Sequence, residues 1–250
     1  MSGPLDRTVM WLTWRQLFAR RRLWTAIAFS LAPFVLALVF MVVADDGDEA
    51  RISFYVNMGR EIVLGTLVPV AAMIFATTAF GGEIDDGTLI YLLVKPIARW
   101  RVALSKYVVA VLSTAAVGAV AVVLPWLVLR GAQLPARTVG ALLAAVSLAS
   151  VAYCAIFLAA GLYTRRALVA SLLYIVLVEE VGSRSLAGLQ RISVRALATA
   201  LAQSISHGTL PSLPNMLPMS TVAAAATIIV VVALASTLWK IAHYELAERL

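Results

Sequence analysis

The sequence predicts an all-α, polytopic integral membrane protein: one transmembrane domain over residues 1–250, with six transmembrane helices. Three observations carry this. Hydrophobic residues make up 62% of the chain and charged residues 13%, against roughly 45–50% and about 25% in soluble domains. Mean hydropathy is +0.94. The apolar residues also gather into six runs, separated by charged or Gly/Pro-containing segments. A soluble globule could not hide that much apolar surface, because a chain of this length still shows much of itself to water. Six helices of about 20 residues take roughly half the chain. The remainder suits short loops and one or two surface helices, and excludes a fused soluble catalytic domain of ordinary size.

Each element follows in order. Over 5–22, Met10, Trp11, Trp14, Leu17 and Phe18 recur at helical spacing, with Arg15, Arg20, Arg21 and Arg22 between and after them. That pattern fits a helix lying in the headgroup region. The run 23–44 follows. It exceeds the roughly 7–15 apolar residues of a signal peptide and is not followed by an A-x-A site, so it reads as an uncleaved first span. The second span is 62–80, and Gly81-Gly82 reads as its end. A short inner-face helix is expected over 83–94, between the second and third spans. Glu83, Asp85 and Asp86 stand at its start, where the backbone dipole favours negative charge, and Pro96 stops it. Arg99, Arg101 and Lys106 then hold the third span, 107–129, at the inner surface.

The fourth span is 139–163. Arg165-Arg166 marks a tight turn before the fifth run, 167–178, which is short for a full crossing. Over 185–206, Leu186, Leu189, Ile192, Leu197, Leu201 and Ile205 recur at steps of three to five, giving an amphipathic helix on the outer surface. Pro211, Pro214 and Pro218 break the chain before the sixth span, 222–239.

Topology follows from the basic residues. With the N-terminus inside, Arg7, Arg15, Arg20, Arg21, Arg22, Lys95, Arg99, Arg101, Lys106, Arg165, Arg166, Lys240 and Arg249 lie in the cytoplasm. Arg51, Arg60, Arg130, Arg137, Arg184, Arg191 and Arg195 lie outside. This asymmetry places both termini on the cytoplasmic side of the plasma membrane. It also accounts for the net charge of +7 without nucleic acid. The acidic stretch Asp45-Asp46-Gly47-Asp48-Glu49 falls outside. The single cysteine, Cys154, sits in an apolar run, allows no intrachain disulfide and reads as a packing residue.

The search for chemistry is mostly negative. The sequence has no phosphate-cradling G-x-x-x-x-G-K-[ST] loop, no H-E-x-x-H or paired-cysteine metal spacing and no G-x-S-x-G elbow. The string from Glu179-Glu180 to Arg184 matches the E-E-x-x-x-R motif of intramembrane prenyl-protein-type proteases. The histidines such enzymes need are missing or misplaced around His207 and His243, so an acidic, wet mouth at the outer end of the fifth span is the plainer reading. The spans themselves are nearly free of charge. A secondary transporter powered by its own ion pathway would be expected to carry buried ionisable groups, so it stands as the weaker alternative.

The stretch 81–106 is the most informative. Glu83-x-x-x-Gly87-Thr88-Leu89, then Leu92-Leu93, Pro96, Arg99 and Lys106, resembles the coupling loop of type-2 permeases of ATP-binding cassette (ABC) transporters. The resemblance extends to the N-terminal helix with Trp11 and Trp14, the six spans, and an outer re-entrant or surface helix before the last. It implies an exporter-type permease whose ATPase is a separate cytoplasmic chain. Two ATPases and two permeases, identical or related, would form the working unit among membrane lipids. ATP and Mg would bind to the partner, this chain holding no cofactor or metal and doing no covalent chemistry. Glu83, Asp85, Asp86, Gly87, Thr88, Leu89, Pro96 and Arg99 would be coupling positions, and Trp11, Trp14, Arg15 and Phe18 elbow-helix positions. The cargo is not readable from the sequence.

Overall fold

The computed structural model describes residues 28–43, 47–85, 99–129, 135–164, 166–182, 192–206 and 218–243. The elements in chain order are α1 (Ala32–Val43), α2 (Asp48–Asn57), a π-helix π1 (Met58–Leu67), α3 (Val68–Asp85), α4 (Arg99–Val128), α5 (Ala136–Tyr163), α6 (Ala167–Tyr174), a second π-helix π2 (Ile175–Gly182), α7 (Val194–Ser206) and α8 (Met219–Ala242). No strand occurs among the described residues. Four helical stretches are long and apolar enough to cross a membrane: Asp48–Ala79, Arg99–Val128, Ala136–Tyr163 and Met219–Ile241. They match the second, third, fourth and sixth expected spans, the second and third each stopping one residue short of the expected end. The apolar helix Ala28–Val43 falls within the first.

The bundle is built around α5, which packs against α3, α4, α7 and α8. Its interior is made of small residues: Ala141, Ala145, Ala149, Ala152 and Ala155 are all buried. In lipid, where tails are as apolar as leucine, close backbone approach and dispersion hold helices together, and small side chains permit that approach. Gly118 of α4 shows how tight the fit is, because a methyl there would run into the Val146 side chain of α5. Several hydroxyls in this interior are satisfied locally or across helices. Ser113 and Ser150 donate to the carbonyls of Val109 and Val146 one turn back. Tyr55 donates to Val122 O at 3.1 Å and Tyr107 to Val151 O at 2.9 Å. Thr114 meets the buried Cys154 sulfur at 3.3 Å, a packing role as expected.

Leu64, Leu67, Leu142 and Leu158 fill the gaps between helices, and other large aliphatic residues point outward. Val35, Val39 and Val42 of α1, Leu172 and Leu173 of α6, and Ile228, Val231 and Val232 of α8 are exposed. Such apolar surface is intolerable in water and ordinary against acyl chains.

Several boundaries differ from the sequence reading. The second span does not begin at 62. Its helix starts at Asp48, with the acidic pair Asp48 and Glu49 in the first turn, where the dipole favours them. Gly81-Gly82 does not end it, since α3 runs on to Asp85. A glycine inside a helix costs only about 1 kcal/mol relative to alanine, too little to stop a helix whose flanks continue. Glu83 and Asp85 therefore lie within α3 rather than at the start of a new helix. The third span starts at Arg99, about two turns earlier than expected, because its cations find partners within the bundle. The helix expected on the outer surface is instead packed between neighbours. Leu197, Ala198 and Ala202 of α7 are buried, against α5 and α8. The rest of the 83–94 helix, including Asp86, Gly87, Thr88 and Leu89, lies outside the described residues, as do Pro96 and the elbow positions Trp11, Trp14, Arg15 and Phe18.

The fifth run is helical over 167–182, sixteen residues through α6 and π2. It is thus longer than the expected run 167–178, and the next described helix, α7, meets its far end through Glu179, so that π2 and α7 form a hairpin-like pair.

Candidate functional site

Side-chain contacts collect several helix ends at one face. Arg99, the first residue of α4, donates to Ile241 O at 3.1 Å, in the last turn of α8. A cation there meets the orphan carbonyls and negative dipole end of that helix. Lys106 is buried, and its ammonium donates to Ala79 O near the end of α3. Lys240 lies 5.7 Å from the Tyr163 ring centroid, and Tyr163 donates to Ser236 O, joining the ends of α5 and α8. Arg101 sits over Trp100, which is itself exposed. This face is thus basic and aromatic, the composition of a membrane–water interface. Glu83 and Asp85 belong to α3, and Arg99 stands beside the end of α8. Of the expected coupling positions, these three fall within described elements.

The second cluster lies farther along the same helices. Glu179 in π2 is fully buried. Its carboxylate accepts from the Ser193 hydroxyl at 2.6 Å, the Val194 amide at 2.9 Å and the Arg195 amide at 3.2 Å. Ser193 in turn accepts from the Ala196 amide at 3.1 Å. Ser193 is therefore the N-cap of α7, bonding the third helical amide, while Glu179 takes the first two. A carboxylate at the positive end of a helix dipole is favoured electrostatically as well. The wet mouth expected here is corrected: this carboxylate is the dry anchor of α7, held there because its negative charge answers otherwise orphaned amides. The same role accounts for Glu179 without the protease reading of Glu179-Glu180.

Arg195 joins three elements. Its guanidinium pairs with Glu180 of π2 at 3.0 Å and with Glu61 of π1. Arg60 lies 3.4 Å from Glu61, extending the network. A small cavity beside it is lined by Val56, Arg60, Leu64, Leu142, Thr199, Ala202 and Gln203. Gly65 flanks Arg195, and Ala79 accepts from Lys106; these two residues stand fourteen positions apart on one helical rod. The two clusters are thus about 20 Å apart along it.

Arg195 was read only as an outer basic residue, and its link to Glu61 was not legible. One signal pointed to it. A cation in the first turn of a helix opposes the dipole, so Arg195 beside an N-cap serine called for acidic partners. Glu179 and Glu180 were the acids nearest in sequence.

A family model described as ABC-2 family transporter protein matches residues 18–181, from ahead of α1 to the end of π2. No curated protein matches the chain at a significant level.

Proposed function

The chain belongs to the ABC-2 transporter family, a multi-pass membrane permease that is not itself an ATPase, and from that premise we propose that it is the membrane subunit of an ATP-driven exporter. The observation that carries this reading is the family match across α1 to π2, within a chain whose long helices are apolar. Two copies of a cytoplasmic ABC ATPase would bind ATP and Mg, and would work with two permeases, identical or related. The segment joining α3 to α4 would receive their motion, with Glu83, Asp85 and Arg99 at its two ends. Six spans would result, the four long helices being joined by the first apolar run and by the α6–π2 run. The basic face carrying Arg99, Arg101, Lys106, Arg166 and Lys240 would be cytoplasmic, as would both termini.

The buried Glu179 gives the self-powered alternative specific support, since an intramembrane carboxylate marks an ion path by default. Its engagement by the first amides of α7 favours a structural role instead.

The test is co-purification with an ABC ATPase and reconstitution in lipid. Permease-dependent ATP hydrolysis is expected. Failure to bind any such ATPase, together with proton-driven transport by the chain alone, would overturn the proposal. Orientation is checked separately. Asp48→Cys should react with an impermeant thiol reagent in intact cells, and Arg166→Cys only after permeabilisation. The native Cys154 is buried and should stay silent. Labelling of position 166 from outside would reverse the topology.

A further inference from the structure

The Arg195 network joins a strong attachment to a weak one. The strong one is Glu179, fully buried and accepting from Ser193, Val194 and Arg195. It makes π2 and α7 one body. The weak one is the pair between Arg195 and Glu61, which ties that body to the second span. The Arg195 side chain is 12% exposed, but that of Glu61 is 49% exposed. Water can therefore take up the carboxylate when the pair parts, so separating it costs far less than breaking a fully buried pair. Arg195 also keeps Glu180, within its own body, at 3.0 Å. The guanidinium is not left without a counter-charge when Glu61 leaves.

The element on the other side of the seam is not plain α-helix. Glu61 and Gly65 lie in π1, a ten-residue π-helix inside a longer rod. A π turn holds one more residue than an α turn, occurs mostly as a short insertion and is frequent at functional sites. When such a segment returns to α geometry, residues on one side of it rotate by about 100° relative to the other. That rotation would carry Glu61 out of reach of Arg195. Gly65 leaves room for the present arrangement: a methyl there would lie 3.0 Å from the guanidinium carbon and 3.2 Å from each terminal nitrogen. The slot is thus shaped for the arginine in the latched state.

We propose that Arg195 and Glu61 form a releasable latch between the second span and the π2–α7 hairpin. A shift of the second span, driven from the α3 end, rotates π1 and frees Glu61. Glu179 keeps the hairpin whole, so α7 moves as a unit away from π1 and opens the cluster end of the bundle. This rests on the reading of the chain as an ATP-driven permease, because the partner ATPase supplies the shift.

The experiment uses the complete permease–ATPase complex carrying Glu61→Cys and Arg195→Cys, treated with a short, reducible bifunctional methanethiosulfonate. Cross-linking should be efficient without nucleotide and fall at least fivefold when nucleotide is trapped by vanadate. The cross-linked complex should lose at least tenfold of its permease-dependent ATP hydrolysis and regain it on reduction. Glu61→Gln is the second variant, which retains Arg195 and its bond to Glu180. It should raise ATP hydrolysis in the absence of cargo two- to fivefold, with an unchanged melting temperature. Equal cross-linking with and without trapped nucleotide, in a complex that still hydrolyses ATP normally, overturns the latch alone. So does Glu61→Gln if it lowers the melting temperature and leaves hydrolysis unchanged. A permease that binds no ATPase overturns the functional reading and the latch with it.

Discussion

Glu179→Ala should lower the stability of the purified permease by about 3–5 kcal/mol, the range for stranding the partners of a buried charge. The carboxylate answers the Val194 and Arg195 amides and the Ser193 hydroxyl. An alanine leaves these donors in an apolar site, and each buried donor without an acceptor costs about 1–3 kcal/mol. The alanine also leaves the Arg195 charge with one carboxylate fewer nearby. For a chain of this size the loss corresponds to a fall in melting temperature on the order of 10 °C, measurable by tryptophan fluorescence in detergent. Glu179→Gln keeps one acceptor oxygen and should fall between the two. As a control, Glu49→Ala alters an exposed side chain in the first turn of α2 and should stay within about 0.5 kcal/mol. A Glu179→Ala protein that melts with the parent would remove the carboxylate from its anchoring role.

Glu83→Ala should lower permease-dependent ATP hydrolysis by about tenfold at normal expression, if a contact worth about 1.4 kcal/mol in the coupled state is lost. Had Glu83 opened a new helix, its charge would have been explained by the dipole of that helix. It lies instead within α3, in a helix that begins well before it. No helix N-terminus calls for this carboxylate, so removing it should leave stability within about 0.5 kcal/mol of the parent. A charge that the helix itself does not require, near the segment joining two spans, fits a role toward a partner. Glu83→Gln tests charge against shape. Full hydrolysis in Glu83→Ala, measured with the reconstituted complex, would leave Glu83 without a coupling role.

The long apolar runs were the legible part of the fold. The stretches 139–163 and 222–239 fall inside α5 and α8, and all but the last residue of 107–129 inside α4, because twenty apolar residues in sequence have one low-energy solution in lipid. Their ends were less legible. Arg99 and Lys106 looked like loop residues, and only the packed bundle supplies the carbonyls of Ile241 and Ala79 that let α4 begin earlier. Gly81-Gly82 looked like a stop, yet a local propensity of this size yields to a continuing helix. The α7 segment was legible as amphipathic from Leu197, Leu201 and Ile205. Which surface would cover its apolar face was not, because that depends on α5 and α8. The Arg195–Glu61 pair bridges 134 positions. A contact of that range leaves no periodic trace in a single sequence, so the cluster could be approached only through the awkward placement of Arg195 at a helix start.

The alanine stripe on α5 bears on how the bundle can move. Helices with large side chains interlock ridge into groove, and sliding one past another requires rotamers to jump together. Ala141, Ala145, Ala149, Ala152 and Ala155 give one stripe of α5 low relief, while the buried Leu142, Val146, Tyr153, Phe157 and Leu158 stand up beside it. The helix thus joins a smooth seam to an interlocked one. Along the first, neighbouring backbones approach closely; at the second, where Gly118 receives Val146, their register is fixed. A movement that sheared the bundle would meet least resistance along the alanine stripe and most at those large side chains. Branched residues in place of the alanines would erase that difference and leave the central helix with teeth on every face.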